Sequence, residues 1–452
     1  MSFPRYPEYK DSGVEWLGVL PCTWAVSELK YLAEYRSSNV DKKSVDGQEP
    51  IRLCNYTDVY YNDLIIDEMD LMQVTASADQ IERFSLKDGD VIITKDSETA
   101  DDIAVPALVP KTLHGVICGY HLAMIRPRRH AHGPYLKWLF DSNYIRSCVA
   151  VRANGLTRVG LGYSEVTGLE LPVPSLEEQR SIAAFLGRET GKIDELVAEQ
   201  RRLIELLKEK RQAVISHAVT QGLNPNAPRK PSGIPWLGNV PEHWEVKPLK
   251  AIALHQSSNV DKKTVEGQAE VLLCNYTDVY YKEEINEDLR LMKATATLEQ
   301  IDKFTLRAGD VIITKDSETA DDIAVSAYVP HDLPGVICGY HLAMLRPMQL
   351  FAGRYLKRLF DSTYVKAMVC VRANGLTRVG LGQEALNSLH LPVPPFEEQI
   401  LIAEFMEREC GIIAQLTDDL ALNTEKLHER RTALISAAVT GKIDVRNAVG
   451  EE

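Results

Sequence analysis

The sequence repeats itself, and this repeat limits what the chain can fold into more than any other feature does. Each repeated segment returns 220 residues downstream, so no insertion or deletion separates the two copies. A period this long is not that of a solenoid, whose repeats run about 20–50 residues. We therefore predict two similar domains, each with a connector. The clearest repeated segments are SSNVDKK (37–43 and 257–263), LCNYTDVYY (53–61 and 273–281), VIITKDSETADDIAV (91–105 and 311–325), GVICGYHLAM (115–124 and 335–344) and VRANGLTRVGLG (151–162 and 371–382).

The first part of each copy has the pattern of a mixed domain of helices and strands. Between about residues 25 and 174, short β-branched runs alternate with turn signals. Residues 91–94 follow Asp88-Gly89-Asp90, and residues 115–118 lead into a second apolar run at 122–125. We expect strands at these three places and a helix over Tyr135, Leu136, Trp138 and Leu139, which makes an α+β domain.

The second part of each copy is predicted to be one long helix. No proline occurs from Leu176 to about Val219, and Ser175 followed by Glu178 is typical of a capping box. Apolar rows of heptad-like spacing then indicate a coiled-coil seam about four heptads long in each copy. The rows are Ile193, Gln200, Leu207 and Val214 with Leu196 and Leu203, and Ile413, Leu420, Leu427 and Leu434 with Leu416 and Asn423.

Two matching seams in one chain favour pairing of the two helices with each other. The alternative, in which each seam packs on its own domain, stays open. The segment 222–228, GLNPNAP, has the composition of a linker between the halves.

The bulk composition is that of an ordinary globular protein. The chain has 452 residues, 45% hydrophobic and 25% charged, which is enough for two to four domains. No secretory signal and no apolar run of about 18 residues is found, so we expect a cytoplasmic protein without a membrane partner. The formal net charge of −13 argues mildly against nucleic-acid binding, although a local basic surface can exist within an acidic total.

The eight cysteines do not point to chemistry. None of them forms a C-x-x-C pair, and Cys54 and Cys118 recur as Cys274 and Cys338 in apolar or strand-like contexts. We expect buried free thiols, with no metal, no disulfide framework and no cofactor.

Several of these segments resemble type I restriction–modification specificity subunits. Residues 172–179 and 392–399 are similar to that family's junction between target-recognition domain and conserved helix. The helices that follow, 193–220 and 412–444, resemble its conserved spacer. The opening YKDSGVEWLG, with Pro21 and Trp24, is similar to its lead-in, and NGLTR at 154–158 lies where the family has a Gly-x-Thr loop.

The resemblance implies a fold class and a non-catalytic role. We expect an α+β protein with two target-recognition domains, joined by two long antiparallel coiled-coil-like helices in a pseudo-two-fold arrangement. The implied partners are double-stranded DNA with a bipartite site, two methyltransferase subunits, and, as an open possibility, restriction or translocase subunits. The expected boundaries are 1–175 (domain 1), 176–221 (helix 1), 222–395 (linker and domain 2), 396–441 (helix 2) and 442–452 (tail).

Helix length and repeat identity sharpen this expectation. A helix from about 192 to 218 is roughly 40 Å long, and half-sites read by paired domains lie about 34–36 Å apart. Antiparallel helices would hold two opposed domains about one DNA turn apart. Because the domains are nearly identical, we predict an interrupted palindrome, whereas most members of the family read two unrelated half-sites.

The candidate DNA-binding residues are polar side chains in the repeated segments. Base edges and phosphates are read by donors such as Arg, Lys and Asn, and Gly155 permits a tight turn that would present its neighbours together. The candidates are Arg152, Asn154, Thr157, Arg158, Lys42, Lys43, Lys95, Tyr120 and His121, with their repeats Arg372, Asn374, Thr377, Arg378, Lys262, Lys263, Lys315, Tyr340 and His341.

Each candidate also has a purely structural interpretation. The arginines could cap or brace the adjoining helix, and Lys42 and Lys43 could lie in a solvated turn. Lys95 could form an internal ion pair with the acids that follow it, and His121 could be a satisfied core histidine.

Two rival functions are the alternatives to this interpretation. Intrinsic catalysis is disfavoured because the sequence has no Asn-Pro-Pro-Tyr-type methyltransferase motif, no glycine-rich cofactor loop after a strand and no P-loop. A helical adaptor whose globular domains do not read DNA is the second rival, and DNA footprinting would distinguish it.

Overall fold

The computed structural model describes residues 3–155 and 157–448, which form two compact units. The first unit comprises residues 1–200 and 421–452, and the second comprises residues 201–420. Each unit therefore combines one copy of the repeated domain with the C-terminal half of the long helix that belongs to the other copy. Among the described residues, no helix has an apolar stretch long enough to cross a membrane.

The first unit is built from short strands and helices, and its two larger sheets have four and three strands. Its strands are β1 (Tyr9–Asp11), β2 (Val19–Pro21), β3 (Ala25–Glu28), β4 (Ala33–Ser37), β5 (Glu49–Cys54), β6 (Met72–Ala76), β7 (Val91–Thr94), β8 (Asp96–Ser97), β9 (Pro106–Leu108), β10 (Val116–Cys118), β11 (Leu122–Pro127), β12 (Val159–Gly160) and β13 (Glu170–Val173). Its helices are α1 (Leu29–Leu32), α2 (Tyr56–Tyr60), α3 (Ala78–Phe84), α4 (Gly133–Asp141), α5 (Asn143–Ala150), α6 (Tyr163–Thr167) and the start of α7 (Leu176–Gln221), with a 3-10 turn at Ala100–Asp102.

The second unit repeats this order. Its strands are β14 (Arg229–Pro231), β15 (Asn239–Pro241), β16 (Glu245–Pro248), β17 (Ala253–Ser257), β18 (Ala269–Cys274), β19 (Met292–Ala296), β20 (Val311–Thr314), β21 (Asp316–Ser317), β22 (Ser326–Tyr328), β23 (Val336–Cys338), β24 (Leu342–Pro347), β25 (Val379–Gly380) and β26 (His390–Val393). Its helices are α8 (Tyr276–Tyr280), α9 (Leu298–Phe304), α10 (Gly353–Asp361), α11 (Thr363–Cys370), α12 (Gln383–Asn387) and the start of α13 (Phe396–Val439), with 3-10 turns at Leu249–Ala251 and Ala320–Asp322.

The four-stranded sheet β4-β11-β7-β9 is the centre of the first domain. All four residues of β7 are buried because β-branched and apolar side chains cover both faces of this strand. It pairs antiparallel with β11, with Ile93 opposite Ala123, and with β9. A second sheet, β10-β5-β6, places Cys54 opposite Cys118 on parallel strands. The strands predicted at 91–94, 115–118 and 122–125 and the helix predicted over Tyr135 are confirmed.

The prediction of buried free thiols is confirmed for six of the eight cysteines, but it is wrong for Cys22, which is exposed, and Cys370 is only half-buried. Cys54, Cys118, Cys274 and Cys338 are free and fully buried, and burial raises the pKa of each thiol. They act as small apolar side chains between the two sheets.

The long helix α7 starts with only half of the predicted capping box. The Ser175 hydroxyl accepts a hydrogen bond from the Glu178 backbone N–H at 3.2 Å. The Glu178 carboxylate instead accepts a hydrogen bond from the Tyr6 hydroxyl at 2.6 Å, which ties the N-terminal segment to the helix. The helix ends at Gln221 because Gly222 follows with φ of 73°.

The apolar row that we assigned beside Ile193 in the helical seam was partly wrong. Ile193 and Ile413 are buried and Leu207, Val214, Leu420, Leu427 and Leu434 are half-buried, but Leu196, Leu203 and Leu416 are 53%, 45% and 47% exposed. The second row of α7 consists of Val197 and Ile204, one residue later. A step of four residues from Ile193 reaches Val197, which lies on the buried face of the helix. A step of three residues reaches Leu196, which faces solvent.

Within each unit, the two helix halves run antiparallel. In the first unit the Arg431 guanidinium lies 3.1 Å from the Asp194 carboxylate, and Thr424 donates a hydrogen bond to Gln200 at 2.8 Å. In the second unit Ile215, Ala218 and Val219 share a core with Ile402 and Met406. The predicted α+β class, with two repeated domains and long antiparallel helices, is confirmed.

Candidate nucleic-acid interface

A tight hairpin after helix α5 presents the first group of candidate residues. Asn154 and Gly160 exchange two backbone hydrogen bonds of 3.1 and 2.9 Å, which close the loop 155–159. Gly155 has φ of 151°, and a Cβ atom there would lie 1.9 Å from the carbonyl oxygen of Arg158. Only glycine fits such a close approach. The same geometry recurs at Gly375, where the corresponding distance to Arg378 is also 1.9 Å.

The hairpin is anchored on the paired strands β8 and β12. We call these two strands, residue 98 and the hairpin together the ribbon. Ser97 pairs with Val159 and Asp96 pairs with Gly160. The Asp96 carboxylate lies 2.9 and 3.0 Å from Nδ1 of His121 and 3.8 Å from the Arg158 guanidinium. In the second unit Asp316 lies 2.8 Å from His341 and 3.2 Å from Arg378. Asp96 and Asp316 therefore orient one candidate histidine and one candidate arginine each.

Lys95 lies beside the ribbon without the ion pair that the sequence left open. Its ammonium donates to the Ser37 hydroxyl at 3.1 Å and to the Ser38 carbonyl at 3.0 Å, and it lies 4.5 Å from the centre of the Tyr120 ring. Burial lowers the pKa of Lys95. Lys315 repeats the contact with the Ser258 carbonyl at 2.8 Å and with the Tyr340 ring at 4.6 Å. The Lys95 ammonium and the half-exposed Tyr120 ring thus form a cation–π pair beside the ribbon.

Arg152 and Arg372 brace the helix before the hairpin, as the structural alternative expected. Their guanidinium groups donate to the carbonyls of Cys148 and Met368, at 3.5 and 2.9 Å. Asn154 donates its side-chain amide to the Arg152 carbonyl at 2.9 Å, and Asn374 does the same with Arg372. Thr157, Arg158, Thr377 and Arg378 are exposed. The side chains of Thr157 and Arg158 are therefore accessible to a ligand, and the residues before them fix the shape of the hairpin.

Lys42 and Lys43 lie on an exposed loop that leaves the ribbon region at Ser38. The Lys43 ammonium is 3.8 Å from Asp41 in the first unit, and the Lys263 ammonium is 3.6 Å from Asp261 in the second. Such exposed pairs contribute little, so the Lys42, Lys43, Lys262 and Lys263 side chains remain available to a phosphate.

The sequence interpretation passed over a tyrosine group that adjoins the ribbon. Tyr56 hydrogen-bonds to Ser97, and its ring stacks on Tyr60 at 5.4 Å. Tyr60 donates to Asp102 at 2.7 Å, and Tyr61 is 76% exposed. The signal that could have found them is the unchanged LCNYTDVYY segment, in which both aromatic and polar residues are kept.

Exposed residues around the ribbon are the same in both copies, but exposed residues elsewhere have changed. Residues 98–102, 119–121 and 151–158 are identical to their repeats and, with 41–43, form what we call the common face. Outside it, the exposed Lys111, Arg128 and Arg129 are replaced by His331, Met348 and Gln349. Because some exposed positions outside it have diverged, we infer that recent duplication alone does not explain the identity of the common face.

The common face does not have the composition of a metal site. Among the residues that the structure describes, no group of three or more His, Cys, Asp or Glu side chains is placed to hold a metal ion. The face combines cations, amides, hydroxyls and aromatic rings, which are the groups that contact nucleic acids.

Comparison with known proteins finds one family to which this chain is similar. Residues 241–419 match the family model of the type I restriction modification DNA specificity domain. A protein of Methanocaldococcus jannaschii, assigned as the specificity subunit of the type I restriction enzyme MjaX, is 23% identical over 95% of this chain and 96% of its own length. The EcoKI specificity subunit of Escherichia coli is 21% identical over 65% of this chain and 61% of its own length.

Solved structures share the fold. The HsdS subunit of Thermoanaerobacter tengcongensis is similar with a TM-score of 0.56 and 18% identity, over 93% of this chain and 98% of that one. A chain from structures of the assembly and conformational transition of a type I R-M system reaches a TM-score of 0.69 at 18% identity, with the same coverage.

Proposed function

We propose that the chain is a type I restriction–modification specificity subunit, and that it directs its complex to a bipartite double-stranded DNA site whose two half-sites have the same sequence. The observation that carries the proposal is the common face. In each unit the same exposed side chains surround a hairpin of the same shape, while other exposed positions differ. Two surfaces with the same donors and acceptors read the same bases.

The half-sites are proposed to lie on opposite strands, as an interrupted palindrome with a non-specific spacer of several base pairs. This follows from the sequence expectation of opposed domains joined by antiparallel helices. Antiparallel contacts such as Arg431 with Asp194 support it.

The proposed partners are two methyltransferase subunits, with or without restriction subunits. The net charge of −13 is unfavourable for binding phosphates, so the isolated chain should bind DNA weakly. We propose that the methyltransferase subunits supply much of the basic surface and all of the chemistry.

Methylome sequencing of a host that carries the complete system tests the symmetry. The expected result is one methylated motif that reads the same on both strands apart from its spacer. Two dissimilar half-sites would contradict the proposal.

Footprinting with and without methyltransferase subunits tests DNA recognition itself. Protection of two patches, strong only with the methyltransferase, is expected. No protection in either sample would favour the helical adaptor, and tight specific binding by the chain alone would contradict the proposed role of the methyltransferase surface.

A further inference from the structure

Glu98 lies at the end of the ribbon, opposite Arg158. The last pair of the antiparallel ribbon is Ser97 with Val159, so residues 98 and 158 are the next positions along the two strands where the pairing ends. Side chains alternate between the two faces of a strand, which places Asp96, Glu98 and Arg158 on the same face. The contact of Arg158 with Asp96 agrees with this placement. Ser317 and Val379 set Glu318 opposite Arg378 in the second unit.

Three of the other carboxylates around the ribbon already have partners. Asp96 holds His121 and Arg158, Asp102 accepts from Tyr60, and Asp58 accepts from the Asn55 backbone at 2.7 Å. Glu98 and Glu318 are exposed, and no hydrogen bond or ion pair joins either of them to the residues within 3–155 and 157–448. Their charge is therefore not used within the described fold.

An unpaired acid on a DNA-binding surface has a cost, because phosphates repel it. Both copies nevertheless keep Glu98 and Glu318, although an exposed acid elsewhere has been lost, as in the change from Asp70 to Arg290. A carboxylate on a DNA-binding surface is stabilised most where a base offers it a hydrogen-bond donor. In the major groove that donor is the amino group on N4 of cytosine.

Arg158 supplies the complementary chemistry. Its side chain is 52% exposed and is held at a distance of 3.8 Å by Asp96, which His121 fixes in turn. An arginine presented in this way can donate to O6 and N7 of guanine, and a two-stranded ribbon fits the major groove, about 12 Å wide.

We propose that Glu98 and Arg158 together read one G·C base pair in the first half-site, and that Glu318 and Arg378 read the same pair in the second. Glu98 accepts a hydrogen bond from cytosine while Arg158 donates to the guanine paired with it. This inference rests on the proposed function, and it names part of the sequence that each half-site contains.

The test is selection of bound duplexes from a randomised library by the chain complexed with its methyltransferase subunits. The wild-type complex should select a G·C pair at one fixed position of each half-site. E98Q should lower the preference for cytosine at that position about tenfold in one half-site only, E318Q in the other, and the double variant in both. E82Q, an exposed change outside the common face, is the matched control and should leave the selected sequence unchanged.

The outcomes separate the inference from the function on which it rests. If E98Q raises binding to all duplexes equally, Glu98 acts by repulsion alone and the inference is overturned, while DNA recognition stands. Half-sites without a fixed G·C pair would overturn it as well. A wild-type complex that selects no sequence would overturn the proposed function.

Discussion

The two copies agree more closely at the ribbon than at the contact between domain and long helix. We call this contact, around Arg431 in the first unit and Arg211 in the second, the junction. At the ribbon, Asp96 and Asp316 each contact the repeated histidine, at 2.9 and 2.8 Å, and the repeated arginine, at 3.8 and 3.2 Å. At the junction, Arg431 and Arg211 occupy repeated positions, yet the side chains around them differ. The comparison teaches that the common face has stayed fixed while packing contacts between domain and helix have changed.

The junction of the first unit is centred on one arginine. Arg431 lies 3.2 Å from Asp63, 3.3 Å from Asp141 and 3.1 Å from Asp194, and Asp141 also receives Lys137 and Arg146. The Trp138 ring lies 3.9 Å from the Lys137 ammonium and 5.8 Å from the Arg431 guanidinium.

At the junction of the second unit, three cations contact one acid. Glu283 receives Arg211, Lys357 at 3.2 Å and Arg358 at 3.1 Å. Arg358 stands where the first unit has Trp138, so an aromatic contact has been exchanged for ion pairs. Each arrangement neutralises its acids, which explains how both have been tolerated.

The largest effect is expected from a substitution that disrupts the ribbon in one unit only. In Gly155→Val the new side chain collides with the Arg158 carbonyl, so the hairpin must open and Arg158 is displaced. Loss of two base contacts, each worth about 1–3 kcal/mol, predicts about 100-fold weaker binding at one half-site. Gly375→Val should do the same at the other half-site, as measured by binding of the methyltransferase complex to duplexes with one half-site scrambled.

A helical glycine provides the control for that pair. Gly187 has open space around its Cβ position, so Gly187→Ala should leave DNA binding unchanged. Equal loss at both half-sites in Gly155→Val would show that the two ribbons do not act separately.

The sequence was enough to predict the fold, but only part of the candidate site. The repeat and the long proline-free stretch predicted two domains and two helices, because these signals are local and strong. The second row of the seam was placed one residue early, since Leu196 and Leu203 are apolar but exposed, and composition alone does not define a helix face. Glu98 and Asp96 were not singled out as site residues, because their roles depend on a strand pairing between residues more than 60 positions apart.

The next effect concerns stability at the junction. Arg431→Met leaves the buried Asp141 with two of its three cations, and we expect a loss of about 2 kcal/mol in the first unit. Arg211→Met leaves the half-exposed Glu283 paired with Lys357 and Arg358, and we expect a loss of about 0.5 kcal/mol in the second. Amide hydrogen exchange measures each unit separately. Equal losses would mean that the two junctions are energetically the same despite their different side chains.

The smallest effect is a difference in acid sensitivity. Burial opposes ionisation of Glu283, but Lys357, Arg358 and Arg211 outweigh it and lower its pKa from 4.5 to about 2. A group with a lowered folded-state pKa stabilises the fold above its unfolded pKa and loses this effect as pH falls towards the folded value. The second unit should therefore lose about 1 kcal/mol between pH 4.5 and 2, a value reduced for solvent screening because Glu283 is 52% exposed. Hydrogen exchange across this range should show the loss in the wild-type chain and in the exposed control E270Q, but not in E283Q. If E283Q follows the wild-type profile, the acid sensitivity of the second unit arises elsewhere and the junction cations are not its cause.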